Sequence, residues 1–243
     1  MGYRYVLVLL GCTLIFIGTV RQDWLLFTAW LGGDFLALGI AHSIGSHRVL
    51  GKQPDGRISR WGWFLFLPLL VFKTVLWHIG RLVRRDPALN LVTDDLVVGR
   101  RLLRSEVADE FENYVDLTAE FSEPGSIRLF SGYFCFPILD HGAPAPDPLH
   151  AAVGRLKAGR TFVHCAHGYG RTGLFALAVL LTRGAAGSVE DGLRILQLAR
   201  PGIRLNRHQL NCIKQYAERC LASPSPPPRP FAGLGIRQTS LLP

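Results

Sequence analysis

The sequence predicts an α/β domain of layered strands and helices, preceded by a region of hydrophobic membrane helices. Apolar runs fill the first third of the chain, and short strand patterns alternate with helical patterns from residue 87 to residue 222. The chain has 243 residues, of which 49% are hydrophobic and 19% are charged. This composition excludes a wholly disordered protein.

The positive charge is concentrated in the first third of the chain. Residues 1–86 contain 10 Lys and Arg against 4 Asp and Glu, whereas residues 87–222 contain 15 against 14, within a net charge of +9. A nucleic-acid-binding domain carries its basic residues on the folded domain itself. Because the charge here is typical of membrane flanks, we predict membrane lipids as partners and no nucleic acid.

Residues 1–86 form the predicted membrane region. The run 5–20 contains no charged residue and is just long enough to cross a bilayer as a helix. The run 24–42 follows after a three-residue connection and contains one acid, Asp34. Two such helices would form a tight hairpin. No small-residue cleavage site follows the first run, which disfavours a signal peptide.

The third apolar run, residues 61–79, is broken by Pro68 and Lys73 and is consistent with either a crossing or an interfacial segment. The basic stretches 43–60 and 81–85 both look cytoplasmic under the positive-inside rule. They would lie on opposite faces if all three runs crossed. We therefore predict an integral membrane protein with two or three helices and a cytoplasmic α/β domain.

Residues 87–222 have the composition of a soluble domain, and residues 223–243 begin with a Pro-rich stretch that predicts a disordered tail. The apolar patterns of the domain predict strands at 96–99, 114–117, 133–136 and 161–164, and helices at 105–114, 149–157, 172–182, 189–199 and 209–220.

The segment 163–173, Val-His-Cys-Ala-His-Gly-Tyr-Gly-Arg-Thr-Gly, carries the chemistry. A predicted strand ends at Cys165, five residues form a loop, and a helix begins at Arg171. The backbone N–H groups of such a loop bind an anion at the helix N-terminus, and the Arg171 guanidinium can hold two phosphate oxygens. The same positive field favours the thiolate of Cys165. These residues predict phosphoryl transfer to sulfur.

This segment resembles the signature loop of the cysteine-dependent protein tyrosine phosphatases, where His-Cys is followed by five residues, Arg, and Ser or Thr. The resemblance covers about 135 residues and is to the compact dual-specificity phosphatases. It implies a central mixed sheet flanked by helices. It also implies that the loop binds the phosphate group of the substrate through Ala166, His167, Gly168, Tyr169, Gly170 and Arg171.

Asp140 is the expected general acid. It lies in the segment Phe136 to Pro146, which resembles the acid loop of the family and places Asp140 25 residues before the cysteine. Asp147 is the alternative acid, although it precedes Pro148 and is well placed to cap the next helix.

The resemblance implies a two-step mechanism that requires no metal and no cofactor. Cys165 attacks phosphorus while Asp140 protonates the leaving oxygen. Asp140 then acts as a base on water, and the Thr172 hydroxyl donates a hydrogen bond to the departing sulfur. His164 is expected either to fix the loop and tune the thiolate or simply to pack as a core residue.

Three functions remain open from the sequence. The leading one is a membrane-anchored phosphatase acting on phosphotyrosine, phosphoserine or phosphothreonine. A lipid-phosphate phosphatase would use the same chemistry at the bilayer surface. A catalytically silent phosphate-binding module would require the loss of a catalytic residue, and the sequence retains Cys165, Arg171 and Asp140.

Overall fold

The computed structural model describes residues 2–21, 26–84, 86–107 and 111–222. The Pro-rich tail and the first residues of the second apolar run therefore lie outside the described residues. The helices are α1 Tyr3–Arg21, α2 Leu26–Ile44, α3 Arg60–Leu65, α4 Leu67–Val83, α5 Gly125–Arg128, α6 Pro146–Gly154, α7 Gly170–Thr182, α8 Val189–Ala199 and α9 Arg207–Ala222. The strands are β1 Leu89–Thr93, β2 Leu96–Arg100, β3 Asn113–Thr118, β4 Tyr133–Ile138 and β5 Thr161–Cys165.

The five strands form one mixed sheet in the order β1-β2-β5-β3-β4. The β1-β2 pair is antiparallel, and the other three pairs are parallel. The apolar core between the sheet and α6 to α9 includes most of the inward side chains of α7, which is buried along nearly its whole length. The predicted α/β fold, a mixed sheet flanked by helices and preceded by an apolar helix, is confirmed.

The chain departs from the predicted elements between β2 and β3. The helix expected at residues 105–114 is absent among the described residues; a single 3-10 turn, Arg104–Glu106, is followed by β3 from Asn113. The Glu106 carboxylate accepts a hydrogen bond from the Leu103 N–H at 2.8 Å and pairs with Arg100. These contacts stabilise the turn in place of a helix. All six residues of β3 are buried, whereas an amphipathic helix would leave one face exposed.

The first two helices form a closely packed antiparallel pair. A Cβ atom at Gly32 would lie 2.7 Å from the Gly11 carbonyl oxygen, so only glycine permits this approach. Among the described residues, one helix is both long and apolar enough to cross a membrane, Tyr3–Val20 with a mean hydropathy of 1.8. An N-terminal signal sequence has the same length and composition.

The third apolar run divides at Phe66 into α3 and α4, with Pro68 in the first turn of α4, where proline is tolerated. The buried Asp34 carboxylate of α2 accepts a hydrogen bond from the Leu69 N–H at 3.1 Å. This acid therefore satisfies a backbone donor at the start of α4. This hydrogen bond explains why the apolar helix α2 contains an aspartate.

Candidate active site

Three strands end at the same edge of the sheet. The parallel strands β3, β4 and β5 lead directly to Glu120, Asp140 and Cys165 respectively. Because ligands in such sheets bind outside the carboxyl ends of parallel strands, this edge is where a site is expected. The structure places the predicted acid, Asp140, against Arg171 of the loop that begins at Cys165, and adds a second carboxylate, Glu120, on the same guanidinium.

The signature loop, residues 165–171, turns tightly between β5 and α7. Cys165 is buried, and the Gly168 N–H points at its sulfur with a nitrogen to Sγ distance of 3.3 Å. Gly168 has a φ of 76°, and a Cβ atom there would overlap the carbonyl group of Gly99. Both the backbone conformation and the space therefore require glycine at this position.

Arg171 is held in a fixed orientation beneath the site. Its Nη1 and Nη2 atoms donate to the two carboxylate oxygens of Glu120 at 2.8 and 2.7 Å, and Nη1 also donates to the Ile138 carbonyl at 3.0 Å. Burial disfavours the charged form, but Glu120 and Asp140 outweigh burial and hold the pKa of Arg171 well above its usual value. The guanidinium is thus a permanent, oriented cation.

Glu120 is the residue of this site that sequence reasoning missed. The Glu120 carboxylate forms the bidentate contact that orients Arg171. One signal was available: Glu120 is an acid placed just beyond a strand whose carboxyl end meets that of β5.

Asp140 stands opposite Glu120 with a cation on either side. Its Oδ1 accepts from Arg171 Nη2 at 3.3 Å, and its Oδ2 accepts from Lys73 Nζ of α4 at 3.0 Å. Burial alone would raise the pKa of Asp140, but Arg171 and Lys73 outweigh burial and hold it below its usual range. Asp140 is therefore ionised at neutral pH in this arrangement.

The loop that carries Asp140 is fixed from both sides. His141 has a φ of 60°, a left-handed conformation that is uncommon for a residue with a side chain. Its carbonyl accepts from Asn206 Nδ2 at 2.8 Å, and the Gly142 carbonyl accepts from Gln209 Nε2 at 3.1 Å. The Tyr3 ring of α1 packs on the His141 ring with centroids 4.4 Å apart. These contacts define where the carboxylate stands.

The other predicted residues have different surroundings. Thr172 is buried at the start of α7, but its hydroxyl forms no hydrogen bond among the described residues, so the expected bond to the sulfur is not made in this structure. Asp147, the alternative acid, is exposed in the first turn of α6 and pairs with Arg219. This pairing turns Asp147 toward α9.

His164 is buried behind the sheet edge. Its ring stacks on Phe162 and meets the edge of Tyr114. Burial, opposed in part by Asp116, lowers the pKa of His164 to about 4, so the ring is neutral at pH 7. Neither ring nitrogen has a hydrogen-bond partner among the described residues. The contacts are those of a packed histidine.

A second acidic cluster lies behind the site, where ligand atoms of Asp116, Glu123 and His164 come within 4.8 Å of one another. Lys52 Nζ lies 2.8 Å from Asp116, and Arg101 Nε lies 2.7 Å from Glu123. The two carboxylates are thus already balanced by two cations. The donor set fits a buried ion cluster better than a metal centre.

Helix α4 covers the signature loop with one face. Lys73 contacts Asp140, Trp77 Nε1 donates to the Ala166 carbonyl at 2.9 Å, and a Cβ atom at Gly80 would lie 2.9 Å from His167 Cε1. The spacings of four and three residues place these contacts on one side of the helix. Exposed apolar side chains occupy other positions: Val71, Phe72, Val75, Leu76, Ile79, Leu82 and Val83.

Comparison with known proteins identifies the fold. No family model matches the chain, and no curated protein matches it. The solved structure of Tk-PTP in the active form is 23% identical, with a TM-score of 0.50, and the match covers 55% of this chain and 98% of that one. The α/β part of the chain has a fold like that of the dual-specificity phosphatases.

Two further solved structures match the phosphatase-like domain at lower scores. Human DUSP28 is 18% identical with a TM-score of 0.48, covering 57% of this chain and 97% of that one. PTPMT1 in complex with PI(5)P is 16% identical with a TM-score of 0.47, covering 56% and 98%. At these identities the likeness concerns the fold alone.

Proposed function

We propose that this chain is a membrane-anchored phosphomonoesterase that works through a cysteinyl-phosphate intermediate. One observation carries the proposal: the loop that holds the Cys165 sulfur also presents Arg171, whose guanidinium lies 3.3 Å from Asp140. A nucleophile, an anion-binding fork and a proton donor thus converge on one small volume. The phosphatase fold of the domain agrees with this chemistry.

In the first step, the thiolate of Cys165 attacks phosphorus and forms a sulfur–phosphorus bond. The bond from phosphorus to the leaving oxygen breaks, and its electron pair goes to that oxygen, which takes the proton of Asp140. Arg171 and the N–H groups of the signature loop bind the three remaining oxygens as charge develops. The entering dianion offsets the positive field of Arg171, which favours the protonated form of Asp140.

In the second step, Asp140 accepts a proton from water while the water oxygen attacks phosphorus. The sulfur–phosphorus bond breaks, its electron pair returns to Cys165 as thiolate, and inorganic phosphate leaves. Glu120 keeps its bidentate contact with Arg171 in both steps, so the phosphate oxygens meet a guanidinium whose plane is already set.

Phosphate release by the full chain in detergent micelles or nanodiscs tests this proposal. We expect Cys165→Ser to abolish release and Asp140→Asn to lower kcat by roughly 10²- to 10⁴-fold, the usual contribution of a general acid. Cys135→Ser is the matched control, because Cys135 lies on β4 outside the site. Turnover retained in Cys165→Ser contradicts the proposal; phosphate binding without turnover in the wild type leaves a silent binding module.

We propose a phosphorylated protein side chain or a lipid phosphate as the substrate. A lipid phosphate is favoured by one specific feature: α4, which places Lys73 beside Asp140, also exposes the apolar side chains of Val75, Leu76 and Ile79. Contact of these side chains with a bilayer would hold the site close to lipid phosphates.

Competition between the two substrate classes tests this point. Vesicles of phosphatidylcholine containing phosphatidic acid serve as the lipid substrate, and a phosphotyrosine peptide as the other. A higher kcat/KM for the lipid supports contact of the exposed face of α4 with the bilayer. An unchanged rate on the lipid after Leu76→Ser, which makes that face more polar, contradicts it.

We also propose that α1 anchors the chain and that the catalytic domain is cytoplasmic. The apolar segment Tyr3–Val20 supports the anchor, and the basic stretches at 43–60 and 81–85 support the side. A membrane-impermeant thiol reagent tests sidedness in intact cells with single-cysteine variants. Labelling of a cysteine introduced in place of exposed Ser131 before lysis contradicts a cytoplasmic domain.

A further inference from the structure

Helix α4 contributes one cation to the site. Lys73 lies in the middle of an apolar run, with only 16% of its side chain exposed, and its Nζ lies 3.0 Å from Asp140 Oδ2. We propose that Lys73 is a positioning residue of the phosphatase site, which holds the general acid Asp140 during proton transfer. This inference rests on the proposed function and adds a residue from outside the phosphatase-like domain.

The two oxygens of Asp140 have different partners. Oδ1 accepts from Arg171 and Oδ2 accepts from Lys73. When a phosphate group binds, it competes for the same Arg171 nitrogens, because those are the donors of the signature loop. Of the two ion-pair partners that the described residues offer Asp140, Lys73 is then the one that stays with it.

Lys73 also stabilises the Asp140 carboxylate that forms when the proton is transferred. As the bond from phosphorus to the leaving oxygen breaks, Asp140 gives its proton to that oxygen and turns into a carboxylate. A cation beside Oδ2 lowers the energy of that carboxylate more than the energy of the neutral acid. The interaction is therefore strongest after proton transfer, which is the condition for accelerating the step.

The rest of α4 fixes the position of Lys73. One turn further along the helix, the buried Trp77 indole donates a hydrogen bond to the Ala166 carbonyl of the signature loop. Two turns along, Gly80 lets the helix backbone approach His167. The helix is thus locked against the loop that holds Cys165, so the distance from Lys73 to the acid is set by the fold.

The pH dependence follows from the charges around Asp140. Removing the charge of Lys73 raises the pKa of Asp140, so the acid keeps its proton to higher pH and donates it less readily. The fall in kcat on the alkaline side then moves to higher pH. The titratable and charged groups that face Asp140 are Lys73, Arg171, Glu120, His42, His141, His167 and Tyr3.

The test compares two leaving groups on the same preparation of the full chain in detergent. Phenyl phosphate needs a proton donor, whereas para-nitrophenyl phosphate has a leaving group that departs with little help. For Lys73→Met we expect kcat/KM on phenyl phosphate to fall by roughly tenfold and kcat/KM on para-nitrophenyl phosphate by less than about twofold, because kcat/KM reports the step in which the leaving group departs. The ratio is independent of how much protein is folded.

Two further variants sharpen the result. Lys73→Arg keeps the cation and should restore the ratio, and Arg81→Met removes the next cation of the same helix, which packs on Trp77 rather than on Asp140. An equal loss on both substrates in Lys73→Met, or an alkaline limb that does not move, overturns the inference. Turnover in Cys165→Ser instead overturns the proposed function itself, and the two failures are thereby distinguished.

Discussion

Arg171 is the residue at which the contacts of the site converge. Its guanidinium bonds both oxygens of Glu120, the Ile138 carbonyl and Asp140. A bidentate contact fixes the plane of a guanidinium as well as its position. The plane of the Arg171 guanidinium is thus set before a phosphate group binds and displaces Asp140 from Nη2, and Glu120 is the residue that maintains that plane.

Replacing Glu120 with glutamine should therefore lower kcat/KM without unfolding the chain. Gln keeps the shape but loses the charge and one acceptor, and a misplacement of about 1 Å costs roughly 10²-fold in rate. Steady-state kinetics on para-nitrophenyl phosphate measure the effect. The control is Glu106→Gln, which weakens the comparable Arg100 pair outside the site. Equal kinetics for the two variants would contradict the role of Glu120.

The residues that sequence reasoning found are those that lie close together in the chain. Cys165 and Arg171 share one loop, so their joint presence is readable as a pattern. Glu120 lies 51 residues before Arg171, and Lys73 lies 67 residues before Asp140. Only the register of the sheet and the packing of α4 bring these pairs together, and neither is encoded in local spacing.

The loop between α2 and α3, which the sequence suggests is only a connection, contributes buried contacts to the α/β domain. Lys52 is fully buried, and its Nζ donates to Asp116 Oδ2 at 2.8 Å and to Thr118 Oγ1 at 3.3 Å. The Ile58 N–H donates to Ser122 Oγ at 2.9 Å. This loop therefore closes the face of the sheet opposite α7.

Lys52→Met should destabilise the folded chain strongly. Removing one partner of a buried ion pair leaves Asp116 uncompensated and costs about 3 to 5 kcal/mol. Thermal unfolding in detergent, followed by circular dichroism, measures the loss. Arg57→Met, which breaks the exposed pair with Asp55, serves as the control and should change stability by no more than about 1 kcal/mol. A Lys52→Met melting curve that overlays the control would refute this packing role.

Across the whole molecule, contacts cross the boundary that the sequence places at residue 87. Lys52 neutralises a buried acid of β3, Lys73 holds the acid loop, and Trp77 bonds the signature loop. The chain looks apolar up to this boundary because α4 exposes many apolar side chains. The opposite face of α4 makes polar contacts with the α/β domain. A hydropathy average over a window of residues does not separate the two faces of a helix.

We therefore predict that residues 87–222 alone have much lower activity than the full chain. The fragment loses Lys52, Lys73 and Trp77 together, so Asp116 is left buried without its cation and the signature loop loses its cover. Phosphate release and thermal unfolding of the two proteins, side by side, measure the difference. A fragment that is equally stable and equally active would show that the first third is only an anchor.

In the proposed mechanism, the phosphoryl group passes through the sulfur of Cys165. The most direct test is rapid acid quenching of the full chain during turnover, followed by mass spectrometry of the peptide that contains Cys165. We predict one phosphoryl group on that cysteine. Its occupancy should be higher in Asp140→Asn, because that variant lacks the base that activates water for hydrolysis of the intermediate. Steady phosphate release with Cys165 never modified, or modification of another residue in its place, would contradict the mechanism.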